Sequence, residues 1–173
     1  MMRRQPLPRL WLMTDERLGS RLFEALANLP QGGGIVFRHY GLTEPERRTL
    51  FQQVKEAARV RHQLLLLAGT AGQATEWGAD GSHGRGPGKG LRSAPVHNLA
   101  EMLAADRAGA DLIFLSPVFP TRSHPGARAL GPARFNRLAR RTDRPVIALG
   151  GMDAMRARHL REAYGWAGID AWI

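Results

Sequence analysis

Eight short apolar runs alternate with amphipathic stretches over 173 residues, which predicts an α/β chain closed into a compact (β/α)8 barrel of the TIM type. Three observations carry this expectation. Runs such as QLLLLA (63–68) and DLIFLSPVF (111–119) read as strands, and the stretches between place apolar residues at helical spacing. Strict alternation implies parallel strands with right-handed crossovers. The chain is also short for a fold that typically takes about 250 residues, and the shortage has two visible places. A glycine loop stands where the fourth helix belongs, and nothing follows the eighth strand. Residues 1–173 are therefore expected to form a single barrel domain.

The first strand is LWLMT, followed by a helix over 16–29 with Leu18, Leu22, Ala25, Leu26 and Leu29 on one face. GGGIVFRH gives the second strand. Thr43 caps a helix that begins at Glu44-Pro45, where proline suits the first turn, and runs to about residue 60. QLLLLA is the third strand, with a short helix near 70–77 after it. ADGSH is the fourth, ending on His83, and LRSAPVH the fifth. A helix over 99–108 leads to the sixth strand at 111–119. A helix over 132–141 leads to the seventh, RPVIALGG. Asp153 caps a helix to about residue 164, and AGIDAWI (167–173) closes the chain as the eighth strand.

Composition narrows the function class. There is no cysteine, so disulfides and thiolate metal sites are excluded. No apolar run approaches the roughly 18 residues of a membrane span, and the proline-broken N-terminus makes a poor signal peptide. A cytoplasmic protein is the expectation. The formal net charge is +10, almost all of it arginine, with only Lys55 and Lys89 as lysines. These arginines are scattered over helical faces without interleaved aromatics, so nucleic acid is not the expected partner.

The stretch GSHGRGPGKG (81–90) invites a phosphate-cradle reading, but neither glycine fingerprint fits. Gly90 follows Lys89 where a P-loop needs a hydroxyl, and no G-x-G-x-x-G opens a helix. It reads as a shortcut between two strands. Barrel active sites lie at the C-terminal strand ends. There Arg38, His83, His97, Thr121, Arg122 and His124 form a cationic, donor-rich ring suited to an anion, with Ser93 beside it. Gly150-Gly151 is the best local signal, because backbone without side chains lets a phosphate approach amide N–H groups. The histidines have no local ligand spacing, so no metal site is expected from them.

LMTDERL, FRHYGLT, GADGSH, GADLIFLSPVFPTRSHPG and PVIALGGM together resemble thiamine phosphate synthase and its relative, the thiazole tautomerase. The resemblance implies a β/α barrel in which a transferase joins a pyrimidine diphosphate to a thiazole phosphate with Mg²⁺. It implies that Gly150 and Gly151 bind the thiazole phosphate, that Thr121 lines that site, that Arg38 meets the diphosphate and that Ser93 lies near the pyrimidine. It also exposes departures. Val36 and Tyr40 flank Arg38 where the family has Gln and Lys, and Ala68-Gly69 replaces the family's Asn-Asp. The glycine loop lacks the second metal-binding carboxylate, and His124 replaces a lysine. The synthase catalytic set is thus expected to be incomplete, with Arg38, His124 and His97 left as catalytic candidates. Two other readings stay open: a non-catalytic or tautomerase-like phosphate-ligand barrel, and a basic nucleic-acid-binding protein. A homodimer, or a covering N-terminal segment, is expected over the face that a last helix would shield.

Overall fold

Leu10–Met13 (β1), Gly34–Phe37 (β2), Leu64–Ala68 (β3) and Gly81–His83 (β4) form one half of a sheet. Leu91–Val96 (β5), Leu112–Leu115 (β6), Val146–Leu149 (β7) and Gly165–Gly168 (β8) form the other. In the computed structural model, which describes residues 6–123 and 125–173, all eight pair in parallel, in chain order, and close as a barrel. The closing register sets Leu10, Trp11 and Leu12 opposite Trp166, Ala167 and Gly168. The helices follow as Leu22–Asn28 (α1), Glu44–Val60 (α2), Ala71–Trp77 (α3), Leu99–Arg107 (α4), Gly131–Ala139 (α5) and Ala154–Ala157 (α6).

Local chemistry accounts for most boundaries. The Glu46 carboxylate accepts from both the Thr43 N–H (3.0 Å) and its hydroxyl (2.6 Å), and Pro45 sits in the first turn of α2. Thr70, Asn98 and Asp153 each cap the following helix by accepting a backbone N–H. Gly84 to Gly90 join β4 directly to β5 without a helix. Parallel strands ordinarily need a longer crossover. Here β4 is three residues long, so the chain has roughly 10 Å to retrace, and the loop's extended reach of roughly 23 Å is enough.

Three expected elements differ. The helix over 16–29 is broken: a 3-10 segment, Glu16–Arg21, precedes α1, because Gly19 leaves helical geometry (φ 49°, ψ −126°). The helix expected to reach residue 164 stops at Ala157. The chain continues in i to i+3 turns, His159 N–H to Arg156 and Leu160 N–H to Ala157, and no residue of α6 itself is buried. The last strand is Gly165–Gly168, not 167–173. Asp170–Trp172 instead coils into a 3-10 turn that delivers the Trp172 indole N–H to the Trp11 carbonyl at 3.0 Å.

Inside the barrel, Trp11 meets Phe114 edge-on at 5.3 Å and His83 meets the same ring at 5.1 Å. Outside β2 and β3, Phe37, Phe51 and Trp77 pack in series at 5.4 and 5.5 Å. Buried Arg47 donates from α2 to the Arg38 and Ala68 carbonyls, both at 2.7 Å, and so ties the ends of β2 and β3 together. At the seam, Trp172 stacks on Trp166 at 5.0 Å and 3°, Trp166 N–H donates to the Arg9 carbonyl, and the Tyr164 hydroxyl donates to the Leu7 carbonyl. Trp172→Ala removes a largely buried ring and its hydrogen bond, and is expected to cost about 3–5 kcal/mol in urea unfolding. A loss under about 1 kcal/mol would show that the seam holds without it.

Candidate functional site

A cavity of about 270 Å³ opens at the C-terminal ends of the strands. Its wall takes Arg17 from the turn after β1, Arg38 from the end of β2 and His97 from the end of β5. The loop after β6 adds Thr121 and Arg122, the turn after β7 adds Gly150 and Gly151, and the chain after β8 adds Asp170. Of the residues expected from sequence, the structure therefore brings together Arg38, His97, Thr121, Arg122, Gly150 and Gly151. His124 lies outside the described residues.

The glycine pair has a steric reason. Gly150 and Gly151 have φ of 98° and 60°, in the region that favours glycine. A Cβ at Gly150 would stand 2.7 Å from the Pro117 Cα, and one at Gly151 would stand 2.6 Å from the Pro120 carbonyl. The carbonyls of Leu149 and Gly150 accept from the Val118 and Phe119 amides, and the Gly151 carbonyl accepts from Arg156. The turn is thus locked against the loop after β6.

The side chains form a web of arginines and carboxylates. Arg38 donates to the Thr14 carbonyl (2.7 Å) and to Asp15 (2.8 Å). Burial pushes its guanidinium pKa down while Asp15 opposes the shift. Arg17 donates to the Ser123 hydroxyl (2.8 Å) and to Asp170 Oδ2 (3.1 Å), and Arg122 reaches that same oxygen at 3.0 Å. His97 Nδ1 lies 2.9 Å from Glu101, which also pairs with Arg85 at 3.1 Å. Burial alone would raise the Glu101 pKa, but hydrogen bonds from His97 and the nearby cations outweigh it and hold the carboxyl low.

His83, expected in the anion-binding ring, and Ser93, expected near the pyrimidine, do not line the cavity. Both are buried, and they bond each other at 2.8 Å between Nδ1 and Oγ. The fourth and fifth strands turn these side chains inward, toward Phe114, rather than up to the rim. Lys89 is also absent from the cavity wall; the glycine loop reaches it only through Arg85, which lies against His97 and Glu101. Sequence reading missed Arg17 and Asp170. Both sit just outside strand ends in segments read as helix and strand, and only the barrel closure brings them within reach of each other. His39 was passed over as well; it is buried, with its ring stacked on Phe37 and Nδ1 3.0 Å from the Thr14 hydroxyl.

Among the described residues, no three histidine, aspartate or glutamate side chains converge as metal ligands. The nearest carboxylates are already engaged: both Asp15 oxygens accept protein donors, and Asp170 Oδ2 accepts two guanidinium groups. Mg²⁺ requires several oxygen ligands in octahedral array, and this donor set does not fit it.

A family model described as thiamine monophosphate synthase matches residues 93–171. A putative thiamine-phosphate synthase 2 of Aquifex aeolicus is 30% identical over 96% of this chain and 98% of its own length. The chain belongs to the thiamine monophosphate synthase family. A thiamine-phosphate synthase of Desulfitobacterium hafniense is 30% identical over 93% of this chain and 84% of its own. A solved structure from Pyrococcus furiosus, titled thiamine phosphate pyrophosphorylase, superposes with a TM-score of 0.78 at 27% identity, covering 95% of this chain and 86% of that one. A Zymomonas mobilis aldolase shares the fold alone, with a TM-score of 0.62 at 18% identity. No helix among the described residues is long and apolar enough to cross a membrane.

In this family member His83 is buried in the barrel interior. Burial pushes the His83 pKa down to about 3, and the Arg38 charge acts in the same direction. The unfolded chain takes up a proton near pH 6.5 that the folded barrel refuses until about pH 3. Above about pH 6.5 the group is neutral in both states and stability is unaffected. As pH falls from about 6.5 toward about 3 the folded state loses up to about 1.4 kcal/mol per pH unit on this account. Urea midpoints measured between about pH 6 and about pH 4 are expected to fall less steeply in His83→Gln. An unchanged slope would mean that His83 titrates normally in the folded barrel.

Proposed function

We propose that this chain acts in thiamine biosynthesis by binding a phosphorylated thiazole- or thiamine-type ligand in the strand-end cavity, with an incomplete synthase catalytic set. One observation carries the reading: Gly150, Gly151, Thr121, Arg38 and Arg122 meet around a single cavity. The backbone turn at the glycine pair gives a phosphate close access to amides, and barrel phosphate sites commonly use the loops after the seventh and eighth strands. Thr121 offers a hydroxyl, and Arg122 a guanidinium whose side chain is 79% exposed. The thiamine-phosphate synthase names of the relatives supply the ligand class.

The catalytic set is incomplete on physical grounds. Departure of a diphosphate develops negative charge that metal ions and cations ordinarily stabilise. The carboxylates at this site serve arginines, and the position beside Arg38 that would extend a cation into the cavity is Tyr40, 67% exposed. His97, held by Glu101, is an imidazole at the cavity wall able to move a proton, which favours tautomerase-like proton transfer as the second reading.

Calorimetric titration with thiamine phosphate tests the binding. Saturable micromolar binding is expected in the wild type, weakened about tenfold or more in Gly151→Ala and in Thr121→Val. Lack of saturable binding in the wild type would sink the proposal. Formation of thiamine phosphate from the two family substrates is expected to run about 10³-fold or more below that of the Desulfitobacterium hafniense relative assayed beside it. Equal turnover would show the catalytic set to be complete.

A further inference from the structure

We infer that the cavity takes one phosphoryl group on its arginines without a divalent cation, and that Asp170 is the internal counter-ion which that phosphate displaces. The inference rests on the proposed phosphate ligand and names how its charge is met.

Charge at the cavity is arranged around two carboxylates. Asp15 holds Arg38, while Asp170 Oδ2 alone holds both Arg17 and Arg122. Three guanidinium groups face two carboxylates, which leaves one formal positive charge. A phosphomonoester carries about −1.5 to −2 near neutral pH. It is well matched to Arg17 and Arg122 once Asp170 yields them, since guanidinium forks bind phosphate oxygens in pairs. The Asp170 side chain is 38% exposed and its segment is a three-residue 3-10 turn, so releasing it disturbs no strand pairing.

A divalent cation has no place in this arrangement. Asp15 would have to leave Arg38 to serve it, and Asp170, once displaced, is a single carboxylate beside two guanidinium groups that repel a second cation. The cavity volume of about 270 Å³ is at or below the low end of small-molecule sites, so it holds one small ligand rather than a diphosphate and a phosphate side by side. A diphosphate bound without metal would bring more negative charge than the two guanidinium groups that Asp170 releases can match.

The test is calorimetry with inorganic phosphate, thiamine phosphate and pyrophosphate, each in EDTA and in millimolar Mg²⁺, on wild type, Asp170→Asn and Arg122→Gln. Phosphate and thiamine phosphate are expected to bind equally in EDTA and in Mg²⁺, within about twofold, with pyrophosphate no tighter than phosphate. Asp170→Asn frees the arginines at constant shape and is expected to tighten phosphate about threefold or more; Arg122→Gln is expected to weaken it about tenfold. Tightening of either phosphate by Mg²⁺ of about tenfold or more, or loss of affinity in Asp170→Asn, would overturn the inference. So would silence with all three anions. Metal-independent binding of inorganic phosphate without binding of thiamine phosphate would leave the inference standing and overturn the thiamine-ligand reading. Should Asp170→Asn fail to fold, Arg122→Gln and the two metal arms decide alone.

Discussion

The barrel depends on its closing seam, where the first strand must find the last across more than 150 residues of chain. Three register pairs between β1 and β8 do this, and they are supported from outside by a tryptophan pair and from below by the Arg9 and Leu7 carbonyls. Without that seam, β1 and β8 become edges with unpaired backbone groups. The last residues earn their place there twice over. Trp172 satisfies the Trp11 carbonyl, and the same 3-10 turn swings Asp170 toward Arg17 and Arg122. Closure and the electrostatics of the cavity therefore share one short segment.

A second constraint is the separation of wet and dry along the strands. Side chains that point inward at mid-strand are buried, and there even polar groups find each other: His83 with Ser93. Groups one or two residues further on reach the rim and meet water. Arg38 sits at this boundary, partly buried, with its Nε fixed on a backbone carbonyl and one terminal nitrogen on Asp15. Behind it, Arg47, which does not line the cavity, holds the Arg38 backbone carbonyl in place.

Much of this was legible in the sequence because it is local. Strands rich in leucine, isoleucine and valine, the Thr43 cap and the Gly150-Gly151 turn all announce themselves within a few residues. The glycine pair lines the observed cavity beside the loop after β6. What escaped reading was set by distance. Arg17 and Asp170 are 153 residues apart, and nothing in either neighbourhood hints at the other. Ser93 and His83 were assigned to the rim because strand ends cannot be fixed to one residue by pattern, and a single step along a strand moves a side chain from solvent to core. The α6 overreach has a related cause: Ala157, Leu160 and Ala163 keep helical spacing and pack on the core, but the backbone that carries them closes i to i+3 turns instead of a helix.

Frame and chemistry separate cleanly in this chain. The barrel needs its seam, its glycine turn and its continuous apolar strands. Chemistry needs only a handful of rim side chains, and these are free to change because they carry little of the packing. The glycine loop illustrates the trade. By crossing from β4 to β5 in seven residues, it turns Arg85 toward His97 and Glu101, and its close approach to Ala71 leaves no room for a side chain at Gly88. The arginine and aspartate web around Asp170 is what such a rim can still build from the strands that remain.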